Sequence, residues 1–173
     1  VYLSLLTVMT SLGIPAEARR KLAEAARGAE SNEFGEAQAR GFEASAPEYI
    51  AWFGQRETHR AAYRHFFRDW DVLLSPAFPT PAFRHIPLDV GFGQRSHEVN
   101  GERLPYILGT AHPALATLSG QPATAFPVGL TNGGLPIGLQ AIGPYLEDRT
   151  PIRFASLVAR EYGGFQRPPG YDE

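Results

Sequence analysis

The chain has 173 residues, enough for one domain with its own core, and its hydrophobic content of 43% is ordinary for a globular protein. The net charge of −2 provides no general attraction to nucleic acids or anionic membranes, so neither is an expected partner. The absence of cysteine excludes disulfides, thiol nucleophiles and cysteine-ligated metal sites, and it fits a cytoplasmic location. The apolar start, 1–9, lacks the features of a signal peptide or a membrane span.

Helix signals occur in three segments. Residues 16–26 lie between Pro15 and Gly28, which predicts a helix whose alanine-rich face packs only in part. Residues 47–70 form the strongest predicted helix, and a third is expected to begin at Asp148 or Thr150 and to end at Gly163. The apolar face of the strongest helix comprises Trp52, His59, Tyr63, Phe66, Phe67 and Trp70.

Four arginines of that helix lie four residues apart: Arg56, Arg60, Arg64 and Arg68. A row of this kind binds an anion or a nucleic acid, or it forms a solvated face that pairs with acids such as Glu57. Because the rest of the chain is not basic, the solvated face is the favoured interpretation.

The middle third is rich in proline and glycine and predicts short strands and loops. Residues 71–76 indicate a buried strand, 76–83 a rigid proline-rich loop, and 84–104 a surface excursion or small hairpin that turns at Asn100-Gly101. A short helix over 106–116 is expected to end or kink at Pro113. Two apolar runs, 123–130 and 136–142, predict a hairpin with an Asn132-Gly133-Gly134 turn. The alternation of helices and strands favours an α/β fold with mixed strand directions in a single domain, 1–173.

The residues themselves show no catalytic constellation. Ser119 lacks the flanking glycines of a nucleophile elbow, and Lys21, the sole lysine, lies on an exposed-looking helix. The five histidines lack the spacing of a metal site, and no glycine-rich loop suits a phosphate, so no metal or cofactor is expected. His112 follows a backbone break, where it either lines a pocket or packs at a helix end.

Three segments carry a resemblance to a known family. They are Asp71-Val-Leu-Leu-Ser-Pro76 with Pro79-Thr-Pro-Ala82, then Leu118-Ser-Gly-Gln-Pro-Ala123, and Gly134-Leu-Pro-Ile-Gly-Leu-Gln-Ala-Ile-Gly-Pro144. In this order and spacing they resemble the C-terminal portion of amidase signature enzymes. The family-like region covers 47–162, between a helical lead-in (1–46) and a tail (163–173).

The resemblance implies a large mixed β-sheet flanked by helices, and hydrolysis of carboxamide C–N bonds by a serine with a second serine and a lysine. In the family those residues lie upstream of the matching segments, and this chain has no Gly/Ser-rich segment of that type, so no catalytic residue is carried over. The chain would supply sheet and one wall of the substrate pocket, and would be inactive alone. By analogy His112, Pro113 and Thr117 contact the substrate, although many relatives have asparagine at the position of Thr117.

The expected partners are therefore the upstream catalytic part of the same protein and a small-molecule amide, with a homodimer as a further option. The alternative is a free-standing, non-catalytic binding or scaffold module. A chain that begins with valine agrees with removal of an initiator methionine or with a fragment of a longer protein, and the resemblance favours the fragment.

Overall fold

The computed structural model describes residues 1–29, 33–91, 94–168 and 170–171. It divides into two compact units, Val1–Arg60 with Arg84–Gly109, and Ala61–Phe83 with Thr110–Glu173. The single domain expected from the sequence stays a prediction. The helices are α1 (Tyr2–Thr10), α2 (Ala16–Ala29), α3 (Glu33–Phe42), α4 (Ala46–Phe66), α5 (Ala111–Thr117) and α6 (Arg149–Tyr162), and the strands are β1 (Leu73–Pro76), β2 (Ser96–Val99), β3 (Glu102–Pro105), β4 (Ala123–Leu130) and β5 (Pro136–Ile142).

Small residues bring the helices of the first unit together. A Cβ added at Gly41 of α3 would lie 2.7 Å from the carbonyl oxygen of Ser4 and 2.5 Å from Cβ of Thr7, both on α1. Ala39 of α3 and Ala23 of α2 are fully buried. The predicted helix from Ala16 is confirmed, as is its partial packing, since Leu22 remains 40% exposed.

Helix α4 begins with a reciprocal cap. Ser45 donates its backbone N–H and its hydroxyl to Glu48 Oε2, at 3.0 and 2.7 Å, and these bonds lower the pKa of Glu48 below the ordinary carboxyl value. The helix ends at Phe66 rather than at Trp70. The predicted apolar face is therefore only partly correct: Trp52 is buried, whereas His59 is exposed and Trp70, beyond the last turn, is 63% exposed.

The predicted hairpin within 84–104 is confirmed. Strands β2 and β3 pair in an antiparallel register and turn at Asn100 and Gly101, whose φ values are 53° and 83°. Positive φ at both central positions is the conformation that Asn-Gly tolerates best.

The second unit contains a three-stranded sheet in the order β1-β5-β4. The hairpin of β4 and β5 has the predicted bounds, and its turn uses Gly134 (φ 79°) as the left-handed residue rather than Asn132 or Gly133. The mixed strand directions expected for the sheet are not found in the described part of the chain, where every ladder is antiparallel, because β5 returns directly from β4 and β1 adds to its free side in the opposite sense. The α/β class itself is confirmed.

Helix α6 covers one face of this sheet, where the ring of Phe154 lies 6.1 Å from that of Phe126 on β4. The predicted bounds of α6 are confirmed, with Asp148 before its first residue and Gly163 at φ 87° after its last. Strand β1 is less buried than predicted, because Leu74 is 48% exposed at a sheet edge. No helix among the described residues is both long enough and apolar enough to cross a membrane.

Candidate functional site

The candidate site is built around α5 in the second unit. A 3-10 turn, Tyr106–Thr110, leads into α5, and Pro113 is its third residue. Pro113 was expected to end or kink the helix, and this expectation is wrong: a proline in the first turn lacks only an N–H that has no helical partner there. The hydroxyl of Tyr63 donates to the Leu115 carbonyl at 2.9 Å and ties α5 to the end of α4.

Gln140 connects three elements of this unit. It lies on β5, is only 6% exposed, and donates from Nε2 to the carbonyl oxygens of His112 (2.8 Å) and Pro76 (3.3 Å). A buried primary amide has two N–H donors, so both are satisfied by backbone carbonyls. The side chain thereby fixes the first turn of α5 relative to the end of β1.

Ser75 of β1 contacts the His112 ring. Its Oγ lies 3.4 Å from Nδ1 of His112 and donates to the Pro76 carbonyl oxygen at 3.1 Å. Ser75 is buried and directly opposite Gln140 in the β1–β5 register, whereas the His112 side chain is half-buried. Because Ser75 is buried and its hydroxyl already has an acceptor, the pair is arranged to orient the imidazole rather than to attack a substrate.

Of the three residues predicted to contact substrate, the structure brings two together. His112 and Pro113 lie side by side in the first turn of α5, whereas Thr117 at its end is five residues from His112 and so about 140° away around the helix. Thr117 is exposed, and its hydroxyl donates to the Pro113 carbonyl oxygen at 2.9 Å. The substrate contact of all three stays a prediction.

Ser75 and Gln140 were not singled out from the sequence. Each is a polar residue inside an apolar strand, Leu-Leu-Ser-Pro and Ile-Gly-Leu-Gln-Ala-Ile. A buried polar side chain requires a hydrogen-bond partner, so this pattern signals a specific contact without revealing which residue makes it.

The other candidates have structural roles. Ser119 is fully buried and donates to the Leu115 carbonyl oxygen, and Lys21 is solvent-exposed and forms an ion pair with Glu17 at 3.2 Å. His97 is buried and stacks on Tyr106 with ring centroids 4.7 Å apart. Among the described residues no group of three or more His, Asp or Glu side chains could hold a metal ion.

Comparison with known proteins shows to which family this chain belongs. Residues 12–151 match the family model described as Amidase. The chain belongs to the amidase family. It is 34% identical over 123 residues to a glutamyl-tRNA(Gln) amidotransferase subunit of Rubrobacter xylanophilus and 33% identical over 129 residues to the same subunit of Zymomonas mobilis. These alignments cover 69% and 72% of this chain but only 23% and 24% of the relatives, so the chain spans about a quarter of their length.

Solved structures agree on the fold. A crystal structure described as an amidase superposes with a TM-score of 0.57 at 27% identity, covering 84% of this chain and 32% of that one. The glutamyl-tRNA(Gln) amidotransferase subunit of Thermotoga maritima gives 0.55 at 26% identity, covering 94% and 36%. A bacterial aryl acylamidase of the amidase signature family gives 0.58 at 22% identity, covering 86% and 32%, and supports the fold alone.

Proposed function

We propose that this chain is the C-terminal part of an amidase that hydrolyses carboxamide C–N bonds, and that it supplies sheet and one wall of the substrate pocket. The observation that carries the proposal is a family match restricted to about a quarter of the relatives' length. On this account a serine, a second serine and a lysine upstream of Val1 perform the chemistry, and the chain alone does not turn over substrate. Among the described residues Lys21 pairs with Glu17 and forms no hydrogen bond with a serine.

The pocket wall is the part of α5 around His112, Pro113 and Thr117. Support comes from the contacts that fix this helix, through the side chains of Gln140, Tyr63 and Ser75. Such preorganisation is what a substrate-contacting surface requires, because a ligand then loses little affinity to ordering of the protein. The half-buried His112 ring offers both an apolar face and a polar nitrogen to an amide.

The sheet of the second unit suits a role within a larger structure. Four of its apolar side chains remain 39–63% exposed: Leu74, Val128, Leu130 and Ile137. Leu74, Val128 and Leu130 lie on the edge strands β1 and β4, and exposed apolar residues there favour pairing with further chain. The upstream part of the same protein is the proposed partner, and the isolated chain is expected to dimerise or aggregate.

Two further expectations belong to this proposal. A cytoplasmic location agrees with the cysteine-free sequence. Neither nucleic acid nor membrane is an expected partner: Arg60 pairs with Glu57 at 2.9 Å as predicted, and the Arg56 guanidinium lies 4.9 Å from the Phe53 ring centroid. Both cations therefore already have contacts within the chain.

The test of turnover uses the isolated chain with simple carboxamides and esters. We expect no hydrolysis above the uncatalysed rate. Robust turnover by the isolated chain would contradict the proposal, and loss of that turnover in Lys21→Ala or Ser119→Ala would place the chemistry inside this chain.

Sedimentation and thermal melting test the alternative, a free-standing binding or scaffold module. Such a module should be monodisperse and should unfold in one cooperative transition. Our proposal expects concentration-dependent association, which a strongly charged substitution at an exposed strand position, Leu130→Glu, should reduce. The matched control Leu88→Glu lies outside the sheet at a position that is 93% exposed.

A further inference from the structure

We infer that the hydroxyl of Ser75 holds neutral His112 as the tautomer protonated on Nδ1, so that Nε2 is a hydrogen-bond acceptor selecting ligands that carry an N–H group. This inference rests on the proposed amide pocket and names the ligand chemistry that its wall favours. The class of ligand is an unsubstituted or singly substituted carboxamide, in preference to a tertiary amide or an ester of the same shape.

The position of one proton carries the argument. Ser75 has a single hydroxyl proton and two neighbours, the Pro76 carbonyl oxygen at 3.1 Å and Nδ1 of His112 at 3.4 Å. A carbonyl oxygen can only accept, so two oxygen lone pairs would face each other at 3.1 Å if the proton pointed to the ring. The proton therefore belongs on the shorter contact, and Ser75 Oγ accepts from Nδ1–H.

The other ring nitrogen follows from this assignment. A neutral imidazole with a proton on Nδ1 presents a lone pair on Nε2. The described residues supply no hydrogen bond to Nε2, and the ring is half-buried, so this nitrogen is open to a ligand. An acceptor at that position discriminates by chemistry. An amide N–H satisfies it, an ester oxygen opposes its lone pair with another lone pair, and a fully substituted amide nitrogen leaves it without a donor, against an alkyl group.

Gln140 keeps this geometry in place. Its Nε2 donates to the backbone carbonyl of His112 at 2.8 Å and to the Pro76 carbonyl at 3.3 Å. The Pro76 carbonyl is also the acceptor of the Ser75 hydroxyl, so one side chain holds both His112 and that acceptor. Gln140 and Ser75 are thus positioning residues for His112. Neither is proposed to touch the ligand.

The first arm of the test is nitrogen NMR of the His112 ring in mildly alkaline buffer, in which a free imidazole is neutral. We expect the Nδ1-protonated tautomer in the wild-type chain, retained in Ser75→Thr and lost in Ser75→Ala. Ser156→Ala is the matched control, because Ser156 also donates to a backbone carbonyl (Ile152, 2.9 Å) but lies on the exposed side of α6. Finding the Nε2-protonated tautomer in the wild-type chain would overturn the inference without affecting the proposed pocket.

The second arm uses the chain joined in frame to the coding sequence upstream of Val1, labelled in the same way, and titrates it with benzamide, N,N-dimethylbenzamide and methyl benzoate. We expect benzamide to shift the Nε2 resonance at concentrations at least tenfold lower than the other two probes, and Ser75→Ala to reduce that preference. Equal binding of the three probes would overturn the selectivity. If no probe perturbs residues 112–117 although the first arm finds the Nδ1-protonated tautomer, the proposed pocket wall is refuted, and the selectivity is refuted with it. An error in the proton assignment would instead show as the wrong tautomer in the first arm.

Discussion

The two units of this chain satisfy their buried polar groups in different ways. In the first unit the buried hydroxyl of Ser11, directly after α1, donates to the Val8 carbonyl oxygen at 3.2 Å, only three positions back in sequence. In the second, Gln140 reaches carbonyls that are 28 and 64 positions away in sequence. Local bonds hold one element, whereas distant ones fix several elements in one geometry. The proposed pocket wall lies where the distant bonds are.

The largest expected effect on the free energy of unfolding comes from placing a negative charge at Gln140. Gln140→Glu puts a carboxylate against two carbonyl oxygens, and an unpaired buried charge costs about 3–5 kcal/mol of unfolding free energy. Chemical denaturation measures this loss, with exposed Gln55→Glu on α4 as the control, expected to change stability by less than about 0.5 kcal/mol. Equal effects of the two substitutions would contradict the role assigned to Gln140.

The same variant has a predictable pH dependence. Burial raises the pKa of the introduced carboxyl in the folded state, and its protonated form can donate to one of the two carbonyls. The folded state then binds more protons than the unfolded state, so the deficit should be smallest in acid and should grow as pH rises through the carboxyl range. Denaturation midpoints at several pH values check this; a deficit independent of pH would contradict it.

The next effect concerns the first unit, where α1 and α3 pack closely at Gly41. Gly41→Ala places a Cβ 2.7 Å from the Ser4 carbonyl oxygen, and such overpacking costs about 1–3 kcal/mol. Gly54→Ala on α4 is the control, because its Cβ would meet no atom within 4 Å, and there alanine should stabilise the helix by about 0.5–1 kcal/mol. Opposite signs in thermal melts support the account; a loss at both positions would not.

A smaller effect is expected at Tyr63, which joins the end of α4 to α5. Tyr63→Phe removes the hydrogen bond to Leu115 and should cost about 0.5–1.5 kcal/mol, whereas Tyr162→Phe, 83% exposed, should be nearly neutral. Burial also raises the pKa of Tyr63, so its contribution is present below the ordinary tyrosine pKa and is lost as pH rises through the raised value. Ultraviolet titration with and without the substitution measures this; ionisation of Tyr63 at or below the ordinary value would contradict it.

The smallest effect is expected from the surface ion pairs of the first unit. Arg27 contacts Glu43 at 2.6 Å and Glu36 at 2.9 Å, and its hydrogen bonds lower the pKa of Glu43. The stabilisation is present above the ordinary carboxyl pKa and is lost on acidification through the lowered value. In an NMR titration Arg27→Gln should raise the pKa of Glu43 and Lys21→Gln should leave it unchanged. A Glu43 pKa insensitive to Arg27 would show that the contact has no influence in solution.

Sequence patterns predicted local elements well because their causes are local. The hairpin bounds at Ala123, Leu130, Pro136 and Ile142 follow from turn residues and apolar runs only a few positions apart. The errors at Pro113 and Trp70 have local causes too. A proline fits the first turn of a helix as well as the position after its end, so Pro113 alone does not show where the helix ends. The helical spacing of apolar residues continues to Trp70, although the helix itself ends at Phe66.

The site could be predicted only in part. His112 was singled out because it follows a backbone break near the hairpin, and Pro113 and Thr117 were named by analogy with the family. Their partners Ser75 and Gln140 could not be assigned, since periodicity shows that a residue is buried but not which distant carbonyl or ring it meets. That information comes from the β1–β5 register, which places Ser75 opposite Gln140.

The most direct measurement compares amide hydrolysis by the 173-residue chain with hydrolysis by the same chain joined in frame to the coding sequence upstream of Val1. Our account predicts that only the joined protein hydrolyses benzamide, and that His112→Ala raises its KM. Equal turnover by the isolated chain, an upstream region without a lysine and a Gly/Ser-rich serine segment, or a KM unaffected by His112→Ala would contradict it.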